Sequence, residues 1–148
     1  MACEAARHGL SVRIVDVAAQ GSDKSKALVL WSRTMEIFAR ADQKLTEDAL
    51  ACGHRVHGSS MYADGTRIVH VALDELPSPF PFALMVPQCD TERLLAESLT
   101  RRGITVERRV QLTTFVQDAE GVTATLRHAD GREETVRTSH RMIRNTCA

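Results

Sequence analysis

The first sixteen residues constrain the fold more than any other part of this sequence. Residues 1–9 combine small and charged side chains in a helical pattern, and Gly9 stands where such a helix would end. Val12, Ile14 and Val15 then form an apolar run that is too short for a helix, and Asp16 follows at its tip. A helix followed at once by a short buried strand that ends in an acid predicts an α/β fold.

The position of Asp16 suggests a nucleotide-binding role. In dinucleotide-binding βαβ units, an acid at the end of the second strand bonds the adenosine ribose, about 20 residues after a G-x-G-x-x-G turn. This sequence contains no such turn and begins inside the helix that should follow it. We therefore predict a partial Rossmann-like domain whose first strand and glycine turn are missing. The alternative is that Asp16 is an ordinary turn residue at a strand end.

The rest of the chain predicts three further helices, a hairpin and a β-meander. The predicted elements are helices at 32–40 (with Ser32 as N-cap), 46–51 and 90–102, a hairpin at 54–73 around Ala63-Asp64-Gly65, a strand at 83–86 and antiparallel strands across 104–138. A parallel start followed by antiparallel strands is typical of a mixed α/β or an α+β fold. We predict the α/β class, with an inserted hairpin and an antiparallel meander. We expect a single partial domain over 1–148, made of 1–53, 54–87, 88–139 and an aberrant tail at 140–148.

Charge and cysteine usage exclude several function classes. Lys plus Arg and Asp plus Glu number 19 each, and this balance argues against nucleic-acid and membrane-surface partners. The pairs Arg101-Arg102 and Arg108-Arg109 are predicted to be solvated. No apolar run approaches the roughly 20 residues of a membrane span, and no signal segment opens the chain. Four scattered cysteines indicate free thiols in a reducing compartment, so a cytoplasmic location is expected.

Neither a metal centre nor a catalytic triad is predicted. His54 and His57 lie three apart on a predicted strand, so their side chains face opposite sides. Ser32, Ser59 and Ser60 lack the strand-turn-helix context of a nucleophilic serine. We therefore assign no catalytic residue and no metal ligand.

Several segments, taken in order, resemble a known family. They are Ala5-Ala-Arg-His-Gly-Leu-Ser-Val-Arg-Ile-Val-Asp16, Lys26-Ala27, Ser32-Arg-Thr-Met-Glu-Ile-Phe38, Pro87-Gln88, Thr91-Glu-Arg-Leu-Leu95 and Gly121-Val-Thr-Ala-Thr125. Together they resemble the FAD-binding region of the group A flavin aromatic hydroxylases, the family of para-hydroxybenzoate, phenol and polyketide hydroxylases. The resemblance extends from residue 2 to about residue 139.

The resemblance implies four cofactor-binding residues. Asp16 matches the acid that accepts hydrogen bonds from the FAD ribose, as suits a group that offers only acceptors. Lys26 stands where the family usually has an arginine facing the flavin phosphates, and Arg33 matches an arginine near the phosphate and sugar portion. Gln88 matches a glutamine that bonds the cofactor. The alternatives are a solvated lysine, an exposed first-turn arginine and a polar residue at a strand end.

The resemblance also implies a reaction, and the sequence departs from the family pattern in two places. The intact family uses FAD, NAD(P)H and O2 to hydroxylate an aromatic substrate. Here the glycine turn is absent, and residues 139–148 depart from the family pattern, which we interpret as truncation at both ends or a frameshift. We expect this chain to be a fragment of a monooxygenase, to bind FAD weakly or not at all, and not to turn over alone.

Two other functions remain open. The chain could be a non-catalytic module that pairs with another chain, or with a second copy as a homodimer, through the sheet edge that the missing strand would expose. It could also be an NAD-dependent oxidoreductase, although a plain Rossmann domain has no need of Arg33 and Gln88.

Overall fold

The computed structural model describes residues 1–21 and 29–139, which divide into two compact units. We call them the helical unit (the described parts of Met1–Val12 and Gly21–Thr105) and the sheet unit (Arg13–Gln20 and the described part of Val106–Ala148). The elements are α1 (Ala2–Arg7), β1 (Ile14–Asp16), β2 (Val29–Leu30), α2 (Ser32–Ala41), α3 (Gln43–Cys52), β3 (His54–Val56), β4 (Gly58–Ala63), β5 (Thr66–Ala72), β6 (Ala83–Met85), α4 (Gln88–Thr100), β7 (Val106–Arg108), β8 (Val110–Gln117), β9 (Val122–His128) and β10 (Glu133–Thr138).

The core of the helical unit lies between helices α2, α3 and α4 and a three-stranded antiparallel sheet in the order β2-β6-β3. The helices present apolar side chains at helical spacing, and these bury together with the central strand. The core side chains are Met35, Phe38, Leu45, Ala49, Phe82, Leu84, Val86 and Leu94. This packing fixes the directions in which α2 and α4 leave the sheet.

The predicted hairpin is present as β4 and β5, which pair antiparallel. Asp64 and Gly65 both have positive φ, of 49° and 75°, as a two-residue hairpin turn requires. The prediction that its first arm begins at His54 was wrong. His54–Val56 forms the separate strand β3, which pairs with β6.

The sheet unit contains a parallel pair of strands and an antiparallel meander. β1 pairs with β7 in parallel, and β8, β9 and β10 form the meander in the order β10-β9-β8. The prediction that the meander begins at residue 104 was wrong, because β7 belongs to the parallel pair. Arg109 separates β7 from β8 with a φ of 59°, so the chain turns sharply at that residue.

Three helix starts differ from those predicted. Ser32 is the first helical residue of α2, with Trp31 as N-cap, and its hydroxyl donates to the Phe82 carbonyl instead (3.4 Å). α3 begins at Gln43 because the Asp42 carboxylate caps it. α4 begins at Gln88, directly after Pro87, so Gln88 is not a strand-end residue. Among the described residues, no helix is long and apolar enough to cross a membrane.

Candidate functional site

Asp16 is the last residue of β1, and its neighbour across the parallel pair is Arg108 on β7. The register places Val15 opposite Glu107 and Asp16 opposite Arg108. Because successive side chains alternate between the two faces of a strand, Asp16 and Arg108 share one face. In open α/β sheets, ligands bind beyond the carboxyl ends of parallel strands, which is where Asp16 lies.

The Asp16 carboxylate is held at both oxygens. Oδ1 accepts a hydrogen bond from the backbone N–H of Ala18 (2.9 Å), and Oδ2 accepts one from Nη1 of Arg108 (2.5 Å). The Asp16 side chain is 39% exposed. A carboxylate offers about four lone-pair positions, so about two remain for other donors. The two hydroxyls of a ribose fit that remaining capacity, and the site is compatible with the adenosine half of FAD.

On the other face of the parallel pair, Arg13 anchors a charged cluster. Its guanidinium donates to Glu107 (2.6 Å) and to Glu134 on β10 (2.7 Å), and His128 on β9 lies 2.8 Å from Glu134. Hydrogen bonds from Arg13, and then from His128, lower the pKa of Glu134 to about 2. The same carboxylates raise the pKa of Arg13. This cluster ties the segment that leads into β1 to β7 and to the meander.

Arg33 is the second residue of α2 and is largely exposed, at 73% of its side chain. It donates to Glu36 one turn later (2.7 Å), and Glu36 also accepts from the Ser78 hydroxyl (2.7 Å). These hydrogen bonds, that of Arg33 first, lower the pKa of Glu36. A guanidinium has five N–H donors, so an arginine this exposed can also donate to a phosphate.

Gln88 is the first residue of α4, and its amide Nε2 donates to Glu92 (2.8 Å). α2 follows β2 and α4 follows β6, and these two strands are antiparallel neighbours. Both helices that carry predicted cofactor contacts therefore follow strands of one sheet. Because these strands are antiparallel, their carboxyl ends point in opposite directions, and the sheet pairing by itself does not bring Arg33 and Gln88 together. Lys26 lies outside the described residues.

The structure thus places the predicted residues in both units: Arg33 and Gln88 in the helical unit and Asp16 in the sheet unit. Sequence reasoning did not predict Arg108 as a partner of Asp16. Arg108 lies 92 positions from Asp16 along the chain, and the two meet through the parallel pairing of β1 with β7. Nothing in the sequence near either residue indicates that pairing. Among residues 1–21 and 29–139, no cluster of three His, Cys, Asp or Glu side chains could hold a metal ion.

Three of the four arginines predicted to be solvated make specific contacts. Arg108 pairs with Asp16, and Arg101 pairs with Asp42 (2.7 Å). Arg102 donates to the backbone carbonyl of Ala41. Arg101, Arg102 and Arg109 are exposed, as predicted, and Arg108 is half-buried. The sequence did not predict the partners of these arginines, because each partner lies far away along the chain.

Comparison with known proteins identifies the domain. A family model described as FAD binding domain matches residues 1–140. The chain is 32% identical to 6-methylpretetramide 4-monooxygenase of Streptomyces rimosus, covering 92% of this chain and 24% of that protein. It is 33% identical to rifampicin monooxygenase of Streptomyces venezuelae, covering 90% and 26%. The chain therefore spans about a quarter of the length of these curated relatives.

Solved structures share the fold. Anhydrotetracycline hydroxylase from Streptomyces rimosus is 28% identical, with a TM-score of 0.78 over 94% of this chain and 27% of that one. Aklavinone-11 hydroxylase, solved with FAD and aklavinone, superposes with a TM-score of 0.74 at 23% identity, over 93% of this chain and 29% of that one. The resemblance inferred from the sequence motifs is confirmed, as is the α/β class with mixed sheets and a meander. The chain belongs to the FAD-binding-domain family, and its relatives are FAD-dependent aromatic monooxygenases.

Proposed function

We propose that this chain supplies part of the FAD site of a monooxygenase that hydroxylates aromatic substrates with NAD(P)H and O2, and that Asp16 bonds the adenosine ribose. The observation that carries the proposal is the Asp16 carboxylate, which ends a parallel strand, is held at both oxygens and stays partly exposed. Membership of the FAD-binding-domain family supports it. The named substrates of the relatives support an aromatic substrate class.

The roles of the chain's residues in this proposal are binding and orientation. Asp16 accepts from the ribose hydroxyls, and Lys26 donates to the flavin phosphates. Arg33 donates to the phosphate and sugar portion, and Gln88 bonds the cofactor with its amide. When bound, FAD supplies the redox chemistry, and the protein supplies position and electrostatics. No described side chain is assigned as an acid or a base.

Ligand-observed NMR tests this proposal, because it detects binding even at millimolar dissociation constants. We expect saturation transfer to FAD and to AMP, which carries the adenosine half, and none to riboflavin, which lacks it. Asp16→Asn removes the charged acceptor that the hydroxyls need, and hydrogen bonds to charged groups contribute about 1.5–3 kcal/mol each. AMP binding should therefore weaken by about tenfold or more.

Asp130→Asn is the matched control. Asp130 lies in the same unit, and its Oδ1 accepts from the backbone N–H of Arg132 (2.9 Å), much as Asp16 accepts from Ala18. Both variants lose one carboxylate beside a backbone donor, but only Asp16 lies at the proposed ribose site. Asp16→Asn alone should therefore weaken AMP binding. Equal AMP binding in the two variants would refute the proposal. A folded chain that binds none of the ligands and dimerises with rising concentration would instead support the paired, non-catalytic module.

A further inference from the structure

Arg108 faces the proposed ribose-binding acid across the parallel strand pair. The two residues are partners in the β1–β7 register, and their charged atoms are 2.5 Å apart. Their side chains are 31% and 39% exposed, so the ion pair is open to solvent on one side. Arg108 therefore pairs with the Asp16 carboxylate and leaves part of that carboxylate accessible to a ligand.

The pair of contacts on Asp16 fixes how its carboxylate is presented. The N–H of Ala18 comes from the turn that follows β1 and fixes Oδ1, while Arg108 comes from the neighbouring strand and fixes Oδ2. An aspartate held only by Ala18 could still rotate its second oxygen away. Because each oxygen has its own partner from a different part of the chain, a single side-chain orientation is favoured before any ligand arrives.

The charge of Arg108 also suits a phosphate-bearing ligand. An isolated carboxylate repels a nucleotide phosphate, and a guanidinium on that carboxylate offsets its charge. Arg108 uses one contact on Oδ2, so the remaining lone pairs of the carboxylate stay available. Orientation, charge compensation and spare acceptor capacity thus occur together at one residue pair.

We propose that Arg108 is a positioning residue that holds Asp16 ready for the ribose hydroxyls of the cofactor. This inference rests on the proposed function, since it assumes that Asp16 bonds the ribose. It adds a residue for which the sequence motifs had indicated no role. Arg108 acts through Asp16 and does not itself need to touch the cofactor.

The test compares AMP with 2′,3′-dideoxy-AMP, which lacks both ribose hydroxyls. Arg108→Met keeps most of the side-chain length and removes the charge and the donors. We expect it to weaken AMP binding about 3- to 10-fold, the usual cost of ordering a side chain on binding. Binding of dideoxy-AMP should weaken less, because that ligand loses only the charge compensation for its phosphate. The AMP affinity of Arg108→Lys should lie between those of the unmodified chain and Arg108→Met, because lysine keeps the positive charge. Arg127→Met, which breaks an exposed pair with Glu133 (3.0 Å) in the same unit, should affect neither ligand.

The backbone amide of Ala18 gives a readout without ligand. If Arg108 holds the carboxylate, Arg108→Met and Arg108→Lys should shift the Ala18 amide resonance and speed its hydrogen exchange, and Arg127→Met should not. In the Asp16→Asn background, adding Arg108→Met should cost no further AMP affinity.

The outcomes separate this inference from the proposed function. If Asp16→Asn weakens AMP but Arg108→Met leaves it equal or tighter, Arg108 is a bystander or a competitor, and only the positioning role is overturned. Equal weakening of both nucleotides by Arg108→Met would assign it a purely structural role and overturn the inference as well. If Asp16→Asn itself has no effect on AMP, the proposed function fails first.

Discussion

Replacing Asp42 should loosen the helical unit that presents Arg33 and Gln88. Oδ1 of Asp42 accepts from the N–H of Lys44 at the start of α3 (3.0 Å). Oδ2 accepts from the Ser98 hydroxyl on α4 (2.5 Å) and from Arg101 (2.7 Å). One carboxylate therefore caps α3 and ties it to α4.

The expected loss for Asp42→Ala follows from these contacts. Loss of the N-cap costs about 1 kcal/mol. Ser98 is fully buried, so stranding its hydroxyl costs about 1–3 kcal/mol more. The pair with Arg101, whose side chain is 39% exposed, adds little. The free energy of unfolding should therefore fall by about 2–4 kcal/mol, measured by urea unfolding followed by circular dichroism at pH 7.

A double-mutant cycle with Ser98→Ala isolates the buried hydroxyl. Ser98→Ala removes the donor, so Asp42→Ala should cost less in that background, with a coupling energy of about 1–2 kcal/mol. If the two changes add to within about 0.5 kcal/mol, the reasoning about the stranded hydroxyl is refuted.

The penalty for Asp42→Ala should also depend on pH. Burial alone would raise the pKa of Asp42, but hydrogen bonds from Ser98 and Arg101 outweigh it and hold that pKa below its ordinary value of 3.8. A lowered pKa stabilises the fold above the unfolded-state value, and that contribution is lost as the pH falls through the folded-state pKa. The penalty should be full at pH 5–7 and should shrink below about pH 4; a constant penalty would contradict this explanation.

Two further predictions concern the sheet unit. A Cβ at Gly121 would lie 2.1 Å from the Thr138 carbonyl oxygen, so Gly121→Ala should cost about 3 kcal/mol in urea unfolding. Gly131→Ala meets no atom within 4 Å and should cost only the strain of its positive φ, about 1 kcal/mol. Hydrogen bonds, that of Arg13 first, lower the pKa of Glu134 to about 2, so the free energy of unfolding should fall as the pH drops from 4.5 to 2. In Glu134→Gln this decrease should be smaller. An equal decrease in the variant and in the unmodified chain would contradict this.

Local signals in the sequence predicted local structure well. The turn Ala63-Asp64-Gly65 predicted the hairpin because the positive φ that this turn requires is available to those residue types. The end of α1 was predicted from Gly9, which adopts a φ of 73°. The helix starts were less accurate because Ser32 bonds Phe82 rather than its own helix, a contact 50 residues away.

The non-local part of the site was not predictable in this way. The parallel pairing of β1 with β7 joins segments about ninety residues apart, and neither segment carries a signal for the other. Arg108 therefore resembled any other arginine on an exposed strand. The Arg13 cluster was not predicted for the same reason, because its carboxylates come from β7 and β10, which are distant from Arg13 along the chain. The motif that predicted Asp16 did not depend on this pairing.

The most direct test of the central claim is a saturation-transfer map of FAD bound to the chain and to Asp16→Asn. The account predicts the strongest saturation on the ribose and adenine protons of FAD and weak saturation on the isoalloxazine methyls. The ribose signal should fall markedly in Asp16→Asn but not in Asp130→Asn. Saturation centred on the isoalloxazine, or a ribose signal that is undiminished in Asp16→Asn, would contradict it.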